Sequence, residues 1–107
     1  MTVAAIELTQ GNLNNNHFNL TSCLSMFPQA SIGGKNETVQ ATLKLTVRPE
    51  SGEEVVTDID GTKNIFRKRA WVGKMFKEFN AKVGDVVQIK KVSETVFEVM
   101  LLSGGAK

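Results

Sequence analysis

Apolar and polar residues alternate most regularly between Thr38 and Val47. Val39, Ala41, Leu43, Leu45 and Val47 share one face, and Gln40, Thr42, Lys44 and Thr46 share the other. A period of two is that of a strand with one buried and one wet side. The turn-forming run Arg48-Pro49-Glu50-Ser51-Gly52 ends this strand and returns the chain into Glu53 to Ile59, its expected hairpin partner. Asp60-Gly61 makes a second turn before Lys63-Asn64-Ile65-Phe66 opens another strand. From about Lys68 to Asn80 the period lengthens. Trp71, Met75, Phe76 and Phe79 fall on one helical stripe, with Lys74, Lys77 and Glu78 facing away and Asn80 as the stop. Val86 to Lys90 and Thr95 to Leu101 then form a closing antiparallel hairpin.

The first third of the chain is patterned less clearly. Thr2 to Leu8 is β-prone, Gln10 to Asn16 is a polar loop of turn formers, and His17-Phe18-Asn19-Leu20 alternates as a short strand. Thr21 or Ser22 caps a helical turn that ends before Pro28, and Gly33-Gly34 marks a sharply turned loop through Glu37. The expected organisation is an N-terminal extension or outlying strand over residues 1–15, one folded domain over 16–102 and a flexible tail over 103–107. Many short strands with one inserted helix favour a mainly β (α+β) small barrel, because closure hides strand edges.

At 107 residues the chain has the length of one domain. No apolar run approaches the roughly 18 residues of a membrane span, and the start lacks the basic and long apolar regions of a signal peptide. A cytoplasmic protein with no membrane association is the expectation. A single cysteine excludes an internal disulfide and a multi-cysteine zinc site. Cys23 reads as a small buried hydrophobe and His17, the only histidine, as a strand residue. The net charge of +2 is unremarkable, but its distribution is not. Three bases face seven acids up to Asp60, and ten bases face four acids from Gly61 onward. That asymmetry points to a positive face able to meet an acidic partner.

Catalytic patterns fail. Asp58 and Asp60 beside Lys63 lack the Asp-x-Lys or Glu-x-Lys arrangement of metal-dependent nucleases, Asp58 to Gly61 lacks the other carboxylates of a calcium loop, and Gly33-Gly34-Lys35 lacks the remaining residues of a phosphate loop. A non-enzymatic protein without cofactor or metal is expected. Binding chemistry has more support. Lys63, Asn64, Arg67, Lys68 and Arg69 crowd the passage from loop to helix, and Lys35 with Asn36 sits on the glycine loop. Lys and Arg clamp phosphates, and Arg, Lys or Asn read base edges. With no Tyr, and with Trp71, Phe76 and Phe79 on the helix stripe, a stacking platform for single strands is disfavoured.

The run from Arg69-Ala70-Trp71 through Lys77-Glu78-Phe79-Asn80 to Gly84-Asp85-Val86-Val87 resembles the C-terminal signature of the plant B-three DNA-binding domain. Gly33-Gly34-Lys35-Asn36, ahead of the long strand, is similar to that family's Gly-Lys-Leu-Asn loop. The resemblance spans about Asn16 to Met100. It implies an open seven-stranded antiparallel pseudobarrel with one or two short helices, related to the DNA-recognition domains of some bacterial type II restriction endonucleases. Such domains grip duplex DNA with two loops in the major groove. Carried over, the N-arm is Ser31 to Glu37, with Ser31, Gly33, Gly34, Lys35 and Asn36 as contacts. The C-arm runs from Asp58 to about Phe66, with Asp60, Thr62, Lys63 and Asn64. Arg67, Lys68 and Arg69 follow as backbone-binding bases, Arg69 standing where the family has a lysine. The implied partner is double-stranded DNA, with a nuclease domain or subunit of the same system as a further candidate. Glu37 departs from the basic residue of plant members, and Asp58 and Asp60 add negative charge to the C-arm. The alternative, on the same charge distribution, is a protein-interaction β-barrel subunit that docks an acidic partner.

Overall fold

The computed structural model describes residues 3–34, 40–50 and 53–104. Five strands form the larger sheet. They are β1 (Val3–Glu7), β3 (Leu45–Pro49), β4 (Val55–Thr57), β7 (Val86–Lys91) and β8 (Val96–Leu102), in the order β1-β7-β8-β3-β4. Three short strands, β2 (Ile32–Gly33), β5 (Ile59–Asp60) and β6 (Ile65–Phe66), form the smaller sheet in the order β2-β5-β6. Two α-helices, α1 (Gln10–Asn15) and α2 (Arg69–Phe79), and two 3₁₀ turns (Thr21–Met26 and Gln29–Ser31) complete it.

The chain is mainly β with few short helices, as its alternation implies, but the strands do not form one antiparallel set of seven. Both sheets are mixed and no closed barrel forms among the described residues. β3 runs parallel to β8, and β2 parallel to β5. The β3–β8 pair is joined by a long crossover: between them the chain passes through β4, β5, β6, α2 and β7. It re-enters beside β3 in the same direction. The β7–β8 hairpin and the β3–β4 pair are antiparallel, matching their short connections. Residues 3–7, expected as an extension or outlying strand, pair with β7 along all five positions from Val3↔Lys90 to Glu7↔Val86.

One face of the large sheet is dry. Leu45, Val47, Val87, Ile89, Phe97, Val99 and Leu101 are buried at alternating positions, and Val72, Met75 and Phe76 of α2 join the same core. A chain of rings links the layers. Phe97 lies 4.5 Å from Phe27, Phe27 meets Phe66 edge-on at 5.8 Å, and Phe66 meets Phe18 edge-on at 5.7 Å. Phe18 in turn lies 6.3 Å from Phe76 on α2. The large sheet, the small sheet and the helix thus share one aromatic spine. Edge-on pairs add to the burial of these rings.

Three local expectations fall to competing hydrogen bonds. The polar run after Leu8 is helical, because Thr9 closes a capping box. Its Oγ1 accepts from Asn12 N at 3.2 Å while Asn12 Oδ1 accepts from Thr9 N at 2.9 Å. Asn16 ends α1 in the left-handed region (φ 54°), and its side chain packs where a Cβ on Gly73 would come within 2.7 Å. Residues 17–20 bury Phe18 and Leu20 but form no strand, since Leu20 N donates to Asn64 O in a turn. The long alternating strand is shorter than its pattern. Residues 40–44 leave the sheet, and pairing starts at Leu45; Thr38 and Val39 lie outside the described residues. α2, by contrast, ends at the expected stop, with Asn80 at φ 60° and its N–H on Lys77 and Phe76 carbonyls.

Phe97 is fully buried at the end of the aromatic spine. Phe97→Ala is expected to lower unfolding free energy by about 3–5 kcal/mol in urea denaturation, while Val56→Ala, on the exposed edge strand, shifts it by less than about 0.5 kcal/mol.

Candidate nucleic-acid interface

The β5–β6 hairpin carries the C-arm on a turn built by its first residue. Asp60 accepts from Thr62 N at 2.9 Å and Thr62 Oγ1 at 2.6 Å, and its carbonyl accepts from Asn64 N at 2.7 Å. Asn64 completes the turn at φ 57°, a conformation asparagine tolerates better than most residues. The N-arm begins beside it. β2 pairs with β5 in the register Ile32↔Ile59 and Gly33↔Asp60, and Gly61 N donates to Gly33 O at 2.9 Å. This approach needs glycine: a Cβ on Gly61 would stand 2.7 Å from Gly33 O and 2.8 Å from Ile32 Cγ2.

Below the arms lies a buried ion pair. Arg67 Nε donates to Asp58 Oδ1 at 2.7 Å and Arg67 Nη2 to Asp58 Oδ2 at 3.0 Å, with the two side chains 11% and 2% exposed. The same guanidinium donates to Gly34 O at 2.7 Å, and the same carboxylate accepts from Ala41 N at 2.7 Å. Gly34 and Ala41 flank the N-arm tip, so the pair holds both legs of that loop against the base of the C-arm. Residues 40–44 find their partners outside the sheet, Ala41 N–H on Asp58 and Leu43 N–H on Ala30 O at 3.2 Å.

Burial works to raise the Asp58 pKa. The hydrogen bonds from Arg67 and from Ala41 N–H, with the charges of Arg67 and Lys44, outweigh it and hold the carboxyl below its ordinary 3.8. Asp60 is held low in the same way, burial being outweighed by Thr62's hydroxyl and N–H, by Arg67's charge and by Lys63 N–H. Both acids therefore remain ionised, and both are turned inward.

The sequence-identified residues separate by this geometry. Ser31 is fully buried, with its hydroxyl donating to Pro28 O at 2.6 Å. Gly33 and Gly34 supply carbonyls to the junction of the arms, Asp60 shapes the turn, and Arg67 is committed to Asp58 and Gly34. Thr62, Lys63, Lys68 and Arg69 are exposed. Asn64 is half-buried, its Nδ2 donating to Thr21 Oγ1 at 3.0 Å. Lys35 and Asn36, with Glu37, lie outside the described residues. Lys44 was not singled out by the sequence. It lines a 190 Å³ cleft with Gln40, Thr57, Asp58, Arg67 and Lys68, at the foot of the N-arm. No local signal places it there, since it belongs by pattern to the wet face of a strand.

A third element also meets the arms. Asn19 Nδ2 donates to Lys63 O at 3.1 Å, and Arg69 donates through Nε (3.0 Å) and Nη2 (2.7 Å) to Asn15 O at the end of α1. The bases of the loop-to-helix passage are thus positioned by residues about fifty places earlier in the chain.

Fold and surface together define a small two-sheet β domain in which the strand leading into the N-arm lies beside the C-arm, with exposed bases on the C-arm turn and at the start of α2. Its fold is similar to that of the N-terminal domain of Helicobacter pylori LlaJI.R1. That match has a TM-score of 0.58 at 13% identity and covers 95% of this chain and 88% of that one. No protein-family model and no curated protein matches the chain in sequence. No helix among the described residues is long and apolar enough to cross a membrane.

Asp58→Asn leaves the Arg67 charge buried without its counter-ion, and is expected to cost about 3–5 kcal/mol. Because the folded-state pKa of Asp58 is depressed, its stabilisation is full above the unfolded-state value and disappears as pH falls through the folded-state value. Urea midpoints across the acid range should therefore fall less steeply below about pH 4 in the variant than in the wild type.

Proposed function

We propose that this chain is a non-catalytic, sequence-selective module for double-stranded DNA. The N-arm and C-arm enter the major groove, and Lys63, Lys68 and Arg69 hold the backbone. The observation that carries this reading is the parallel pairing of β2 with β5, clamped from below by Asp58 and Arg67. It sets β2, which leads into the N-arm, beside the base of the C-arm, with exposed cations on the C-arm turn and at the start of α2. Loops so placed are suited to a groove, whereas a flat basic sheet would meet only phosphates. The fold shared with the LlaJI.R1 domain supports the reading, as does the sequence resemblance to the B-three family.

Pairing and burial lessen the electrostatic objection. Asp58 is neutralised by Arg67 and Asp60 is occupied by Thr62. Asp60 keeps its charge but is largely buried. Arg67 then acts as scaffold, and the phosphate contacts fall to Lys63, Lys68, Arg69 and Lys44 beside the cleft. In this reading sequence specificity falls to the two arms, with Thr62, Asn64 and, from the sequence, Lys35 and Asn36 as candidates. A nuclease domain or subunit is the partner such a recognition module would serve.

A titration of duplex DNA against salt tests the proposal. Binding should weaken steeply with salt, and an absence of binding at low salt would sink it. Lys63→Ala and Lys68→Ala should each reduce the slope of log K against log salt by about one and weaken every duplex alike, by roughly five- to tenfold at about 0.1 M salt. Asn36→Ala should instead change the ranking of sequences in a selection from random duplexes. A uniform loss from all three variants would contradict the division into backbone and base contacts.

A further inference from the structure

The single histidine stands where three elements meet. His17 follows the left-handed cap of α1, and its N–H donates to Asn12 O at 3.2 Å. The residues after it are stitched to the C-arm turn by Asn19 to Lys63 O, Leu20 N to Asn64 O and Asn64 to Thr21. Arg69, at the start of α2, is fixed nearby by its two bonds to Asn15 O. Two of the three elements thus bring a cation to the imidazole. The third brings none, because residues 8–20 carry no acid and no other base. Among the described residues, the charges that bear on His17 are those of Arg69 and Lys63, both positive.

Such a cluster lacks its complement. His17 Nδ1 is buried and has no hydrogen-bond partner, an uncommon state for a polar atom shut off from solvent. The guanidinium of Arg69 has more donors than Asn15 O accepts. Three basic groups gathered here, with one buried nitrogen unsatisfied and no acid in residues 8–20, suit an anion. A phosphate oxygen supplies the missing charge and an acceptor for the spare Arg69 donors and, once the ring is protonated, for the imidazole N–H.

We propose that His17, Lys63 and Arg69 form one receptor for a backbone phosphate of DNA, and that filling it transfers a proton from solvent to the His17 imidazole. The receptor rests on the DNA-binding reading above and adds α1 and its following segment as a third contact with pH dependence built in. In the free chain, burial, then Arg69, then Lys63 hold the His17 pKa below its ordinary 6.5, so the ring is neutral at pH 7. A bound phosphate offsets both cations and gives a protonated ring an acceptor, which raises the pKa. The bound-state pKa then exceeds the free-state one. The gain in affinity is full below the free-state value and is lost as pH rises through the bound-state value.

Because the chain has one histidine, its Cε1 proton gives one NMR resonance, which can be titrated between about pH 5 and pH 8. The titration is run on the full chain alone, with inorganic phosphate, and with a saturating duplex. The free pKa should lie below 6.5 and rise by roughly one unit or more with duplex, while duplex affinity strengthens by up to about tenfold per pH unit lowered between the two values. Lys63→Ala and Arg69→Ala should raise the free-chain pKa, a change a merely structural role for these bases does not predict. His17→Gln, checked for folding by circular dichroism, should bind duplex with no pH dependence in this range. A His17 pKa that moves with neither duplex nor phosphate, or a His17→Gln variant that keeps the wild-type pH profile, overturns the receptor. A shift with inorganic phosphate in a chain that binds no duplex supports the anion receptor and overturns the DNA reading instead.

Discussion

Asp58 and Arg67 are joined by two hydrogen bonds at 2.7 and 3.0 Å, almost sealed from water, and the arrangement of the arms depends on them. An ion pair taken out of solvent is costly unless its remaining valences are met. Here Gly34 O meets the guanidinium and Ala41 N–H meets the carboxylate. Those two backbone groups are the feet of one loop, and the pair itself stands at the base of another. The desolvation cost is thus offset by contacts that fix loop geometry. The contribution of the pair is chiefly positional, and a hydrophobic replacement of equal volume would not tie Gly34 and Ala41 to the same point.

The same pair alters the electrostatics of the surface. By composition the C-arm carries two acids among its bases, an awkward mixture for meeting a polyanion. Folding turns both acids inward and spends Arg67 on one of them, leaving Lys63, Lys68 and Arg69 outward. The exposed charge is therefore more uniform than the sequence suggests. α1 extends this effect. Its carbonyl at Asn15 orients Arg69, and the following segment anchors the turn that carries Lys63. The proposed interface draws on three stretches of chain resting on a common aromatic spine, with Phe66 beneath the C-arm in contact with both Phe18 and Phe27.

Much of the framework was legible because it follows from local periodicity. The helical period, the burial of Met75 and Phe76, the stop at Asn80 and the β7–β8 hairpin each depend on residues within a few positions of one another, whereas Phe79, expected on the apolar stripe, is exposed and Val72 takes its place in the core. α1 was hidden for an instructive reason. Its capping box uses Asn12 in place of the usual Glu or Gln, within a run of asparagines that normally mark turns. The apparent strand at residues 17–20 shows the reverse case: its alternation correctly reports the burial of Phe18 and Leu20, but its backbone groups find partners in a turn.

The sequence by itself determined which faces are apolar, where α2 and the last hairpin lie, and that the second half of the chain concentrates the bases. Only the tertiary structure decided that β3 lies parallel to β8, that residues 40–44 leave the sheet for partners outside it, and that Arg67 is a buried clamp while its neighbours Lys68 and Arg69 are exposed. The physical reason is range. Periodicity records how each side chain meets solvent, a property of the local backbone, and it survives in one dimension. The partner of a charge or of a backbone amide is set by groups that arrive from distant parts of the chain, as Gly34 does for Arg67 and Asn15 for Arg69. Three adjacent bases with one composition thus acquire different roles.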